Sequence, residues 1–382
     1  MGLNQLFKVT LLCVLSVWLV GCVGNSRLKN EVRIVVGGDW DDHWGDGGVT
    51  QQSLAIGATH DLILLAGDLS YEGQDGDLEY NIRNARRWAE KANAIAGQTP
   101  MLFVAGDHDS RYQDGDISTY AKVLNHPDGT GGVTPAKAKV AGLDYEGQYP
   151  YLWYSDIVNG DVKVRVVGTS SAFQETEHEP AAVQKYLAQT YPKGSENYRW
   201  IESVYADARH RGYWILHLNH LPWVDMGKNQ SFSDSQDLIN LASKYGVSIL
   251  MTGSSHNLWR TKPLKIDPDH CPSIALTTEA QGANPGCVGH HGNTHYAKSD
   301  GLIQTHVGVA GKTSAINLEK YPDACDPLAD GEVKHYLAEG TCVTSAITGV
   351  VSLTITDKTL SGEFIRVDGS IFAPYSFVVE RR

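Results

Sequence analysis

Acidic and imidazole side chains follow apolar segments closely at five places in this chain. These residues are Asp39, Asp68, Asp107, His220 and His256. In open α/β sheets, sites form beyond the carboxyl ends of the strands, so the five side chains are expected to lie together. Three neighbouring carboxylates cannot all stay ionised at neutral pH without a cation, and a mixed carboxylate and imidazole set suits iron, manganese or zinc. The pattern predicts a metal site. A carboxylate shared by two ions would make it a two-metal site, which activates water and clamps a phosphoryl group.

The elements that must position these side chains are apolar segments of strand length. Their continuous rather than alternating apolar character predicts strands buried on both faces, at 32–36, 62–66, 101–105, 213–218 and 247–252. Helices are predicted between them at 77–96, 197–211 and 233–245, so the order is that of an α/β layer with right-handed crossovers. Three closing segments, at 349–356, 360–367 and 375–379, are predicted to be antiparallel and to complete a second sheet.

Composition limits the classes of protein to which the chain can belong. Of its 382 residues, 42% are hydrophobic and 20% are charged, which excludes a disordered tail, a coiled coil and a collagen-like fibre. With 32 basic and 44 acidic residues the net charge is −12, which argues against a nucleic-acid partner. We predict one domain over 32–382, with long inserted loops at 112–150 and 281–345.

The amino terminus has the pattern of an export signal. Residues 1–21 contain Lys8 and an apolar stretch at 11–20, which is too short to span a bilayer comfortably. The sequence Leu19-Val20-Gly21-Cys22 resembles the lipobox of bacterial lipoproteins, which implies acylation of Cys22 and a short linker over 22–31. The expected location is periplasmic or cell-surface, with the lipid as the membrane contact. An uncleaved anchor and an ordinary secretory signal are the alternatives.

Four cysteines remain after Cys22, all in the last third of the chain. In an oxidising compartment they are expected to form two disulfides, for which three connectivities are possible. The pairs Cys271–Cys287 and Cys325–Cys342 are preferred because each closes a short loop. Their spacing fits no zinc ribbon.

Five motifs in this order carry a family resemblance. They are Gly38-Asp39-Trp40, Gly67-Asp68-Leu69-Ser70-Tyr71, Gly106-Asp107-His108-Asp109, His220-Leu221-Pro222-Trp223 and Gly253-Ser254-Ser255-His256. The set resembles the calcineurin-like metallophosphoesterases, and within them the small purple (tartrate-resistant) acid phosphatases, over about residues 32 to 260. The resemblance implies an α/β (α+β) fold of the metallo-dependent phosphatase type, a sandwich of two mixed β-sheets flanked by helices.

The resemblance also implies a ligand set for two metal ions. The six implied ligands are Asp39, Asp68, Tyr71, Asp107, His220 and His256. Asp68 would bridge the ions, and Tyr71 would supply the phenolate that binds ferric iron in the purple subgroup. Manganese, iron, zinc or magnesium is expected at the second site. His108 lies where the family keeps the histidine that stabilises or protonates the leaving group.

Two positions depart from the family pattern, and both belong to the second metal. The family's Asn is Asp107, and the first His of Gly-His-x-His is Ser254. Losing an imidazole ligand would weaken or empty the second site, whereas the added carboxylate makes the ligand set harder and favours manganese, magnesium or ferrous iron over zinc. The candidate replacement ligands are His290, His291 and His295. Asp41 would either assist the first metal or belong to a solvated acidic turn.

Two functions are therefore expected as alternatives. The first is a metal-dependent phosphoesterase, a hydrolase of the acid phosphatase type in which a metal-bound hydroxide attacks a phosphate ester in line. The second is a non-catalytic or repurposed lipoprotein with the same fold, which retains one metal and binds a phosphate-like ligand.

Overall fold

Two mixed β-sheets of seven strands each form the centre of the protein. The computed structural model describes residues 30–45, 47–73, 77–109, 116–125, 143–170, 191–224, 235–274, 284–312, 336–343 and 346–382. Helices cover the sheets, so the expected fold class is confirmed.

The first sheet has the strand order β10-β14-β13-β12-β1-β2-β3. Its strands are β1 (Val32–Gly37), β2 (Leu62–Ala66), β3 (Met101–Val104), β10 (His295–Ala297), β12 (Gly349–Ile355), β13 (Thr359–Arg366) and β14 (Ile371–Glu380). Strands β1, β2 and β3 are parallel, and β12 pairs antiparallel with β1. The carboxyl ends of the first three strands therefore share one edge, where Asp39, Asp68 and Asp107 follow them.

The second sheet has the order β4-β5-β6-β7-β8-β11-β9. Its strands are β4 (Leu143–Gln148), β5 (Leu152–Asn159), β6 (Val162–Thr169), β7 (Trp214–Asn219), β8 (Ile249–Thr252), β9 (Leu258–Arg260) and β11 (Ile303–Val307). Strands β6, β7, β8 and β11 are parallel, so His220 after β7 and His256 after β8 lie at one edge of this sheet.

Alternate residues of the central strands belong to two different hydrophobic cores. In β1, Ile34 and Val36 pack into the core between the sheets, whereas Val35 packs under the helices. In β2, Leu64 likewise packs between the sheets and Ile63 packs under the helices. Since each fully buried aliphatic side chain contributes about 1.5–3 kcal/mol, both faces of these strands must be apolar, which explains their continuous apolar sequences.

Five helices are described, and they are α1 (Val49–Gly57), α2 (Leu78–Ala96), α3 (Ile117–Val123), α4 (Glu196–His210) and α5 (Ser235–Tyr245). The carboxylate of Asp77 caps α2 by accepting a hydrogen bond from the backbone N–H of Tyr80. Helix α2 buries one face on the sheet, with Ala85, Trp88, Ala89 and Ala92 at helical spacing.

The structure corrects two expectations about strands. The closing strands β12 to β14 do not complete a second sheet but extend the first one, because β12 pairs with β1. The intervals 112–150 and 281–345, predicted as loops, contain α3, β4, β10 and β11 in their described parts. Strand β11 escaped prediction because Gln304, Thr305 and His306 are polar although all three are buried.

The described residues also bear on the cysteines and the membrane. Cys271 and Cys287 form a disulfide with Cα atoms 4.9 Å apart, the pairing that the short loop favoured. Cys342 is disulfide-bonded too, but Cys325 lies outside the described residues, so the second pairing stays a prediction. No helix in the described part of the chain is long and apolar enough to cross a membrane. Residues 1–21 and Cys22 lie outside the described residues.

Candidate metal centre

Hydrogen bonds between two loops hold Asp39 and Asp68 side by side. The backbone N–H of Asp39 donates to the carbonyl of Gly67 at 3.1 Å, and that of Trp40 donates to the carbonyl of Asp68 at 2.8 Å. Both aspartates have left-handed backbone conformations, with φ of 55° and 53°. Residues other than glycine rarely adopt this backbone region, and Asp is among those that tolerate it. The sharp turns that follow β1 and β2 thus place two buried carboxylates next to each other.

The hydroxyl oxygen of Tyr71 lies at the point where three other side chains converge. It is 2.7 Å from Asp39 Oδ1, 2.7 Å from Asp68 Oδ2 and 3.1 Å from His256 Nε2. His256 Nε2 is in turn 3.2 Å from Asp39 Oδ1. A phenol has one proton to donate, so it cannot satisfy both carboxylates at once. Four donor atoms of the types that bind iron are therefore gathered around one position.

One oxygen of Asp39 is left without a hydrogen bond. Asp39 is fully buried, and among the described residues its Oδ2 atom has no hydrogen-bond partner. Gly308 leaves space beside this oxygen, because a Cβ on Gly308 would lie 2.9 Å from Oδ2. Since buried polar atoms nearly always have a partner, a cation fits this position.

A second group of ligand atoms surrounds His220. The ring donates from Nδ1 to the carbonyl of Ala66 at 2.7 Å, which leaves Nε2 as the electron-pair donor. His220 Nε2 lies 3.0 Å from Asp107 Oδ1 and 3.5 Å from Asp68 Oδ1. Asp68 therefore touches both groups through different oxygens, which is the arrangement that a bridging carboxylate requires.

The pKa values show how much negative charge is confined here. Burial raises the pKa of Asp68 to about 8, with the charges of Asp107 and Asp39 adding to the rise and His220 opposing it. Burial would also raise the pKa of Asp39, but the hydrogen bond and charge of His256, aided by His220 and Tyr71, outweigh burial and hold it well below its usual range. Burial lowers the pKa of His220, yet Asp68 and Asp107 more than reverse this and raise it. In the absence of a metal, protons must neutralise the carboxylates, and a bound cation would replace those protons.

His108 lies at the mouth of the cluster. Its side chain is 34% exposed, and its ring centroid is 4.4 Å from that of Tyr71. The backbone N–H of His108 donates to Asp68 Oδ1 at 3.0 Å, so the same carboxylate holds the His108 loop. An imidazole that is both anchored and solvent-accessible can contact a ligand bound at the cluster.

The comparisons with known proteins agree with this arrangement. The family model for calcineurin-like phosphoesterases matches residues 18–258, more than half of the chain. The chain belongs to this family. No curated protein matches the chain by sequence.

Solved structures show where this phosphoesterase fold recurs. Purple acid phosphatase PPD1 from yellow lupin (Lupinus luteus) seeds is 19% identical with a TM-score of 0.55, over 92% of this chain and 54% of the lupin chain. The chain thus spans about half the length of the lupin enzyme. GAP50, the anchor in the inner membrane complex of Plasmodium, is 10% identical with a TM-score of 0.54, over 93% of this chain and 90% of its own. At these identities, the similarity concerns the fold.

Asp109, the last residue of the third motif, has a structural part in this phosphoesterase site that the sequence analysis did not assign. Its buried carboxylate accepts backbone N–H bonds from Asp68, Leu69 and Gly106, each at 2.8 Å. Burial raises the pKa of Asp109 to about 6, although these three hydrogen bonds act to lower it. Asp109 thereby ties the loop after β2 to the loop after β3. The only sign of this role in the sequence is that Asp109 is a second carboxylate, two residues after Asp107.

Ser254 lies beside the second group of ligands. Three consecutive residues, Ser254, Ser255 and His256, have left-handed backbones with φ of 70°, 59° and 49°. The preceding Gly253 donates its N–H to the carbonyl of His220 at 3.0 Å. His306, in the unpredicted strand β11, donates from Nε2 to the carbonyl of Ser254 at 2.8 Å. The turn is therefore fixed next to His220.

The other candidate residues lie elsewhere. Asp41 is buried and pairs with Lys312, with 3.0 Å between Oδ2 and Nζ, so it is neither solvated nor part of the ligand groups found in the described chain. His295 is in β10, four strands from β1 and thus about 19 Å away across the sheet. His290 packs on Tyr296 of the same strand, and His291 follows it directly. None of the three histidines belongs to the ligand groups found in the described chain, and the role of these histidines as replacement ligands stays a prediction.

Proposed function

We propose that this chain is a metal-dependent phosphoesterase that hydrolyses phosphate esters in the manner of an acid phosphatase. The observation that carries the proposal is the convergence of Tyr71 Oη on Asp39, Asp68 and His256 within 3.1 Å. The family assignment supports the reaction class.

The first metal would be held by Asp39, Tyr71 and His256, and the second by Asp107 and His220, with Asp68 shared. The donor chemistry fits both ions, and the phenol favours ferric iron at the first site. When bound, the two ions supply Lewis-acid charge to the phosphoryl oxygens and lower the pKa of water.

His108 would act on the leaving group. Its Nε2 lies 3.9 Å from Asp107 Oδ2, and its partly exposed ring lies against the ring of Tyr71. A proton on this imidazole can pass to the ester oxygen as the bond to phosphorus breaks. General acid catalysis of this kind contributes about 10²–10⁴-fold to a rate.

The second metal site is proposed to be the weaker one. Ser254 offers no imidazole, and the additional carboxylate of Asp107 favours manganese, magnesium or ferrous iron over zinc. The wild type should hold one metal tightly and another loosely, so that activity rises as divalent ion is added.

The test combines metal analysis with hydrolysis of p-nitrophenyl phosphate by the full-length chain. We expect activity that requires metal, and a large loss of kcat with unchanged metal content in His108→Ala. Ser254→His should tighten the second site and raise activity at low metal. Asp107→Asn alone should do little but should add to that effect. Ser255→His, one position along in the same turn, is the matched control and should not tighten the site.

A repurposed, non-catalytic protein with one metal is the second candidate. Ser254 in place of a histidine favours it, and GAP50 is a fold neighbour described as an anchor. A wild type that hydrolyses no phosphate ester at any metal concentration, and is still inactive as the Ser254→His and Asp107→Asn double variant, would refute the enzyme proposal in favour of this one.

We also propose export and anchoring through an acylated Cys22. The support is the signal-like sequence of residues 1–21 and the disulfide between Cys271 and Cys287, since disulfides persist in oxidising compartments.

A further inference from the structure

A lysine that none of the motifs contains lies against the ring of Tyr71. The ammonium nitrogen of Lys312 is 4.0 Å from the centroid of that ring and 3.0 Å from Asp41 Oδ2. Its side chain is 29% exposed, so the lysine is partly accessible from solvent. Lys312 is therefore a cation in contact with a side chain that also touches Asp39, Asp68 and His256.

The backbone holds Lys312 at this place through the loop that carries Asp39. The N–H groups of Gly311 and Lys312 both donate to the carbonyl of Asp39, at 3.0 and 2.8 Å. One residue earlier, the N–H of Ala310 donates to the carbonyl of Gly38 at 3.1 Å. Gly311 has no room for a side chain, because a Cβ would lie 1.3 Å from the carbonyl oxygen of Trp40. The segment thus aligns Lys312 with the metal ligand Asp39.

The charge of the site explains what such a cation can do. The negative charges of Asp39, Asp68 and Asp107 are balanced by the proposed metals. Asp41 accepts only one of the three N–H donors of the Lys312 ammonium, so the others can bind a ligand. An anion bound at the Tyr71 oxygen would lie beside the ammonium, where a charge-assisted hydrogen bond is strong.

We propose that Lys312 binds a phosphoryl oxygen of the substrate and favours the dianionic phosphate of a monoester over the monoanion of a diester. Asp41 orients the ammonium toward Tyr71. This inference rests on the proposed function and names the substrate class of that same site.

The test uses the full-length, metal-loaded chain and inorganic phosphate as the probe. Lys312→Gln should weaken phosphate binding about 10-fold in calorimetry and raise the KM for a phosphate monoester similarly, with little change in kcat or metal content. The KM for a phosphate diester should change less. Lys312→Arg should restore most of the affinity, because the positive charge returns.

Lys298→Gln is the matched control. The ammonium of Lys298 also lies over an aromatic ring, 5.0 Å from the centroid of Trp214, at the opposite end of β7 from His220. This variant should leave phosphate binding unchanged.

The outcomes separate the two proposals. If the wild type binds phosphate and hydrolyses monoesters but Lys312→Gln matches it, the role of Lys312 is refuted and the proposed function stands. If Lys312→Gln instead loses metal or shifts the visible spectrum with KM unchanged, the lysine supports Tyr71 as a metal ligand and does not bind the substrate. The inference is then also wrong. If the metal-loaded wild type neither binds phosphate nor hydrolyses esters, the proposed function fails and the inference fails with it.

Discussion

Replacing Asp109 by alanine should destabilise the protein and weaken its metal site together. The carboxylate accepts three backbone N–H bonds, from Asp68, Leu69 and Gly106, and all of these groups are buried. Each buried donor left without an acceptor costs about 1–3 kcal/mol, so three give an upper bound of about 9 kcal/mol. Removing the buried carboxylate also removes its desolvation penalty, which shows in its raised pKa. The net loss should be about 3–5 kcal/mol.

The measurement is urea denaturation of the metal-free protein, followed by metal titration. Asp109→Asn keeps one acceptor oxygen and should lose less stability than Asp109→Ala. Asp267→Asn is the matched control, because the Asp267 carboxylate also accepts two backbone N–H bonds, from Asp269 and His270, but is exposed, so that water can replace it. In Asp109→Ala, the displaced loop of Asp68 should lower metal affinity about 10–100-fold.

Two results would refute this reasoning. If Asp109→Ala unfolds at the same urea concentration as Asp267→Asn, the three hydrogen bonds do not hold the loops. If Asp109→Ala is less stable but binds metal as tightly as the wild type, the carboxylate stabilises the fold without positioning Asp68.

Three further predictions concern other parts of the chain. Tyr71→Phe should bleach the visible colour expected of a ferric phenolate, and a colourless, iron-free wild type under oxidising conditions would contradict the iron assignment. Burial lowers the pKa of His217 to about 3, so the folded state resists the proton that the unfolded chain accepts near its ordinary value of 6.5. The free energy of unfolding should therefore fall as the pH drops from 6.5 toward 3, by about 2 kcal/mol at pH 5, and His217→Gln should show a flatter pH dependence in denaturation curves. Cys22→Ser should move the protein from the membrane fraction to the soluble fraction. A wild type that is already soluble and cleaved at another position would contradict the acylation of Cys22.

The parts of the fold that sequence could predict are those with local signals. Strands β1, β2 and β3 have continuous apolar sequences that end at glycine and aspartate, and their carboxyl ends do meet. The position of β12 beside β1 depends on pairing between residues more than 300 positions apart, such as Val35 and Ser352, and no local pattern carries that information. The prediction of a separate sheet failed for this reason.

The site residues that the sequence did not reveal act through contacts with residues far along the chain, either with a backbone group or with a charged side chain. His306 supports the turn of Ser254 from 52 residues away, and it lies in a strand whose polar sequence resembles a loop. Lys312 meets Asp41 only because the backbone N–H groups of residues 310–312 donate to the loop after β1. Motifs indicate donor atoms, whereas these supporting contacts depend on the three-dimensional structure.

The two sheets contribute different ligands to the same centre, and this has an energetic consequence. Asp39 and Tyr71 follow strands of the first sheet, whereas His256 and His220 follow strands of the second. A metal held by both sets would link the sheets directly above the core that they share. Because the ligands come together only in the folded chain, the free energy of metal binding adds to that of folding, by about 2.7 kcal/mol at a metal concentration 100 times the Kd. A weak second site would therefore lower stability as well as activity, which couples the change at Ser254 to the interface between the sheets.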